Sequence, residues 1–147
     1  MKNNSFIMTV KPSQLTNMGW FVLPFISLPI FIPLSVVFIL IAAYKYYEVD
    51  TWSYNLYTKT IEERRGVFDV LQDEMYYFRI KSILIEEPFW MRIFGLSNIQ
   101  IISSEQFKPR MTIHAVYLGD QIKETISDIT YEQRLKMNIR DHDVYNI

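Results

Sequence analysis

Few side chains in this sequence are of types that do chemistry, and their spacing keeps them apart. Histidine occurs twice, as His114 and His142. His114 alternates with apolar neighbours and reads as a strand residue. His142 lies in a polar tail, and the two are not at metal-ligand spacing. Glu62–Glu63 and Glu86–Glu87 are paired carboxylates, but neighbours on a strand point to opposite faces and cannot work as an acid/base couple. Cysteine is absent, which removes disulfides, thiolate metal sites, thiol nucleophiles and lipidated cysteines. Four glycines in the whole chain leave no phosphate-cradling loop. With no nucleophile–base pair, metal cluster or cofactor loop to assemble, the chain reads as non-enzymatic, with no cofactor, no metal and no small-molecule substrate.

The remaining polar chemistry is cationic. Lys59, Arg64, Arg65, Arg79 and Lys81 fall near the ends of three expected strands. Together with Trp90 they are the candidate lipid or partner surface. A basic patch beside a bilayer attracts anionic lipid at about 1 kcal/mol per cation, although Glu62, Glu63, Asp69 and Asp73 lie among these residues and blunt the field. The formal net charge of −1 gives no global attraction for nucleic acid.

Those residues must be positioned by elements, and the first element is membranous. Half of the chain is hydrophobic, and the excess is concentrated near the N-terminus. No charge occurs between Met18 and Tyr44, a run longer than the roughly 20 residues that cross a hydrocarbon core as a helix. A chain this short could hardly wrap such a helix on all sides, and the run is too long and too far in for a cleavable signal. Pro24, Pro29 and Pro33 interrupt it, so one straight helix is excluded. One kinked span and a two-helix hairpin both remain open. In the hairpin, Ser13 caps a first helix running to about Phe31, and Pro33 opens a second at its first turn. Each leg then has about 17–19 residues, roughly 25–28 Å and just enough to cross. Lys2 and Lys11 before the block, with Lys45, Lys59, Arg64 and Arg65 after it, favour the hairpin, because cationic flanks stay cytoplasmic. Trp20, Tyr44, Tyr46, Tyr47 and Trp52 bracket the block like an interfacial aromatic belt.

After the block the period changes. Trp52, Tyr54 and Leu56 alternate in a strand over 51–58, and Thr58–Lys59–Thr60 turns into a second strand over 61–68, bent at Gly66. A third strand is expected over 76–87, with a bulge near Lys81–Ser82 that returns Ile83 and Ile85 to the core. Pro88 ends it. Phe89 to Phe94 is too apolar for a loop and reads as one or two helical turns stopped by Gly95. Trp90 and Phe94 share a face there, either buried or a docking face. If buried, Trp90→Ala costs roughly 3–5 kcal/mol. Strands over 98–103 and 110–117 follow. Asp120 is the expected N-cap of a last helix with Ile122, Ile126 and Ile129 as its buried stripe, and a solvated tail carries Arg134, Lys136, Arg140, Asp141 and Asp143. This order implies an α+β fold, an antiparallel sheet with one helix over its open end.

Several stretches resemble the bacterial PH-domain membrane proteins. They are Pro12–Ser13–Gln14 with Asn17, Tyr54–Asn55–Leu56, Ile61–Glu62 with Arg65–Gly66–Val67, and Arg79 to Ile83 with Pro88, Arg92 and Gly95–Leu96. Ile99 to Ser104 with Lys108–Pro109 completes the set, and the resemblance runs from Lys11 to about Ile129. The family has Thr-Ser-Asp where this chain has Ser103–Ser104–Glu105, and often an acidic residue at Ser82. The resemblance implies two membrane helices and a PH-like domain, a fold that elsewhere binds phosphate head groups near its first strands. The expected organisation is an N-terminal segment 1–12, a transmembrane region 13–49, a PH-like domain 50–131 and a tail 132–147. The expected location is the bacterial cytoplasmic membrane, with the C-terminal domain in the cytoplasm. The expected work is an accessory role, docking on other membrane proteins or on copies of itself. The alternative is lipid-head-group or envelope-stress sensing. Surface aromatics such as Tyr57, Tyr76, Tyr77 and Trp90 favour docking.

Overall fold

A strand precedes the apolar block. In the computed structural model, which describes residues 4–27 and 32–138, β1 (Phe6–Val10) pairs antiparallel with β2 (Ser53–Tyr57), joining Val10 to Tyr54 and Thr9 to Asn55. The segment before the block thus supplies a strand to the domain after it. Its short run of Phe, Ile, Met, Thr and Val is β-compatible, but it stands too far in sequence from other strands to be recognised alone.

Between these strands lie two helices. Ser13 caps a 3-10 turn, Gln14–Asn17, its hydroxyl accepting from the Leu15 N–H. This turn leads into α1 (Met18–Ser27), and α2 (Ile32–Thr51) follows. Pro24 lies inside α1, and Pro33 sits in the first turn of α2, where a missing N–H costs nothing. Pro29, the expected helix end near Phe31, and the tail residues Arg140, Asp141, His142 and Asp143 lie outside the described residues. The helices pack antiparallel. Asn17 Nδ2 donates to the Lys45 carbonyl (2.6 Å), Gln14 Nε2 donates to the Tyr46 carbonyl (3.1 Å), and the Ser27 and Ser35 hydroxyls meet at 3.0 Å. Among the described residues, α2 alone is long and apolar enough to cross a membrane.

β2, β3 (Thr60–Arg65) and β4 (Leu71–Tyr76) extend the first sheet in the order β1-β2-β3-β4. β5 (Ile80–Glu86), β6 (Leu96–Ser103) and β7 (Arg110–Tyr117) form a second antiparallel sheet. The expected single sheet is therefore two. The expected strand over 76–87 starts only at Ile80, after a 3-10 turn over Tyr77–Arg79. The bulge inferred beside Lys81 is present as a register shift between Ile80 and Ser82. β4 escapes sequence reading because it is an edge strand that fully buries only Met75.

The helical turn after Pro88 is α3 (Phe89–Ile93), and Gly95 follows with φ +65°. The last helix, α4 (Gly119–Met137), starts two residues earlier than expected. Leu118 occupies the cap position without a side-chain bond, and Asp120 lies in the first turn, where its charge still suits the helix dipole. α4 continues past residue 131 to Met137. Tyr54, Leu56, Ile61, Met75, Ile99, Ile101, Met111, Ile113 and Ile126 form the sealed core between the sheets and α4.

Candidate membrane-proximal surface

The joint between α2 and the first sheet is built from Trp52, the single residue between them. Its indole packs on the His114 ring (centroids 5.2 Å) and under the Arg65 guanidinium (5.7 Å), and its Nε1–H donates to Glu63 Oε1 at 3.2 Å. Glu63 Oε2 and Asp73 Oδ2 both accept from Lys108 Nζ at 2.8 Å. The buried Tyr54 hydroxyl donates to the Thr112 carbonyl at 2.6 Å. Trp52 is thus a domain residue, as its alternation with Tyr54 and Leu56 implies. Burial pushes the His114 imidazole below its ordinary pKa, with Glu63 opposing and Arg65 assisting that shift. Burial also raises the Tyr54 phenol far above its usual range, with the Glu63 carboxylate adding to the effect.

A second clasp holds the start of α1. A left-handed Ala115 (φ +47°) turns its carbonyl out of β7 to accept from the Ser13 N–H at 2.8 Å, while the Ala115 N–H is satisfied by Asn98 Oδ1. Ser13, Gln14 and Asn17 therefore act structurally, tying the helix pair to the second sheet and to itself. The first sheet holds the pair through Trp52.

The candidate surface residues do not form one patch. Arg64 and Arg65 are exposed at the end of β3 nearest α2. Lys59 lies in the β2–β3 turn at the other end of that strand, clasped through its backbone N–H by Asn4, about 17 Å away at the strand rise. Arg79 is also at that far end, over the Phe78 ring and 3.6 Å from the Glu105 carboxylate. Lys81 lines a cleft of about 250 Å³ between β5 and α4, with Lys123 and Arg134. Trp90 stands apart on α3, and of the two readings of its face, buried or docking, the buried one does not hold: Trp90 and Phe94 are 40% and 41% exposed, and Met91 is the buried residue of that helix. Met91 clusters with Leu96 and Ala115, and Leu15 packs against that cluster.

Sequence reading missed Phe68. It is 85% exposed, yet its ring stacks on Tyr44 of α2 with centroids 6.3 Å apart and 13° between planes. Gly66 sets the loop that presents it. Its φ is +119°, and a Cβ there would overlap the Asp69 carbonyl oxygen, so only glycine fits the turn. The signal available in sequence was the Gly66 breaker followed by Val67–Phe68, read there as strand.

The family model for the bacterial PH domain matches residues 13–135. This chain belongs to the bacterial PH-domain family. No curated protein and no solved structure matches it. The PH-like domain brings with it the general character of PH domains, non-catalytic interaction modules. The matched span covers both helices as well as the strands that follow them.

Proposed function

We propose that this protein is a membrane-anchored, non-enzymatic PH-like interaction module that docks on other membrane proteins or on copies of itself. One observation carries the reading: α1 and α2 are looped out between β1 and β2, neighbouring strands of one sheet. A sheet cannot form across a bilayer, because backbone groups must pair within one aqueous or protein environment. An apolar block that leaves and re-enters a single sheet must therefore return to the side it left, which supports a hairpin over a single span. Lys11, Lys45, Arg64 and Arg65 at its base favour the cytoplasmic side of the cytoplasmic membrane. The Trp52 and Ser13 clasps hold the domain against the surface with no flexible linker. Tethering of that kind raises effective concentration toward other membrane proteins, so weak contacts suffice.

Extraction from native membranes into lipid nanodiscs, followed by mass measurement and identification of co-purifying chains, tests this. A stable complex, homomeric or with a larger assembly, is expected, and a lone monomer at native expression overturns it. The lipid-sensing alternative is less supported, since its cations divide between two ends of the domain. It requires Arg64→Glu with Arg65→Glu to abolish selectivity for anionic vesicles.

A further inference from the structure

We infer that the domain itself rests on the bilayer, through α3 and the β3–β4 loop, so that lipid covers Phe89, Trp90, Ile93, Phe94 and Phe68. The inference rests on the reading that the helix pair enters the membrane. Each element lies by the domain end of that pair. Met91, the buried residue of α3, belongs to a cluster with Leu96 and Ala115, and Leu15, three residues before α1 begins, packs against that cluster. Phe68 stacks on Tyr44, the last residue of the uncharged run in α2. The two elements come from different sheets, yet both lie where the apolar pair leaves the domain. Phe89 is 72% and Ile93 65% exposed, and large apolar side chains gathered in this way mark a surface that something covers.

A planar interface covers both elements at once, since each lies beside an end of the pair where it joins the domain. A protein partner would have to meet two separated patches around the base of a lipid-embedded pair. Aromatic side chains are also the type that settles at the head-group level. Charge does not direct the contact. Arg64, Arg65 and Arg92 are offset in sequence by Asp69, Glu86 and Glu87 in the same or adjoining segments. The contact is therefore apolar and indifferent to anionic lipid and to salt.

The absence of cysteine makes the test direct. Phe68→Cys, Ile93→Cys, Val37→Cys in α2 and Glu132→Cys in α4 are made singly in the full chain. Each carries an environment-sensitive fluorophore and is reconstituted into phosphatidylcholine vesicles with or without a nitroxide-bearing lipid. Val37, Phe68 and Ile93 positions are expected to lose most of their emission to the lipid-borne quencher, and Glu132 none. Phe89→Cys and Val70→Cys repeat the measurement on the same elements. Quenching at Val37 with none at Phe68 and Ile93 overturns the inference while leaving the membrane anchor standing. No quenching at Val37 removes the anchor and the inference together. Shielding of Phe68 and Ile93 that appears only at high protein-to-lipid ratio, without lipid quenching, assigns the surface to a second copy and also overturns it.

Discussion

His114 is a residue whose ionisation the fold resists. It is half-buried in β7 against Trp52, with the Glu63 carboxylate and the Arg65 guanidinium on the facing strand. Burial favours the neutral imidazole, so the folded pKa lies below the unfolded value of about 6.5. The unfolded chain then binds more protons than the native one in the window below that value. Stability is full above about pH 6.5 and is lost as pH falls toward the folded pKa. Thermal melts of the full chain across this range should show the melting temperature falling on the acid side, and His114→Gln should flatten that fall. An unchanged slope in the variant would remove His114 as its cause. Trp90 poses the opposite problem, a large side chain that the core does not own. Its truncation to Ala is expected to lower stability by well under the ~3–5 kcal/mol of a core aromatic, as read in the same melts. How much of this was legible differs for each residue. His114 as a strand residue followed from alternation. Trp52 matched both its strand's alternation and an interfacial belt, because a tryptophan just after an apolar helix fits both roles until the register of β7 is known. The cations looked like a patch because nearness to strand ends does not say which end.

At the scale of elements, the apolar block divides into the two described helices α1 and α2. Pro33 at the start of α2 and Ser13 at the first cap were legible, since both follow from local rules on orphan N–H groups. The depth was not. α2 has 20 residues, but Lys45, Glu48 and Asp50 occupy its last two turns beside the domain. Its uncharged part, Ile32 to Tyr44, rises about 20 Å, and α1 over Met18–Ser27 about 15 Å, against a hydrocarbon core of about 30 Å. The described parts of the pair are expected to enter the bilayer from the domain's side and to return to it. The Ser27–Ser35 hydroxyl contact joins the two helices away from the domain. Ile32→Cys should then resist a membrane-impermeant thiol reagent added to either face of sealed vesicles. Modification from the face opposite the domain would mean that the pair spans. The strands were read from alternation wherever one face is sealed, as in β2, β6 and β7. Reading failed at β1 and β4, which lie at the two edges of the first sheet and show alternation too weak to register.

For the whole molecule, the decisive feature is the insertion of the helix pair inside a sheet. Sequence reading treated the residues before the block as a separate segment, because strand pairing across some forty intervening residues leaves no local trace. Pairing of β1 with β2 makes the two ends of the block one structural unit. Thr9 Oγ1 donates to Asn55 Oδ1 at 2.7 Å, Asn4 Nδ2 to Thr60 Oγ1 at 2.9 Å, and the Thr58 N–H to the Ser5 carbonyl at 2.9 Å, so the strand is held along its whole length. A compartment-specific reporter fused before Met1 must therefore give the same answer as one fused after Ile147, and cationic flanks make that answer cytoplasmic. The single kinked span requires opposite answers. It also requires β1 to leave the sheet, exposing the β2 edge and uncovering the buried Val10. A chain lacking residues 1–10 separates these consequences. If the sheet needs its first strand, this truncation should destabilise the domain and leave an open strand edge prone to association, even though the apolar block is intact. A truncated chain that melts at the same temperature as the full one would show that β1 is dispensable and would reopen the single-span topology.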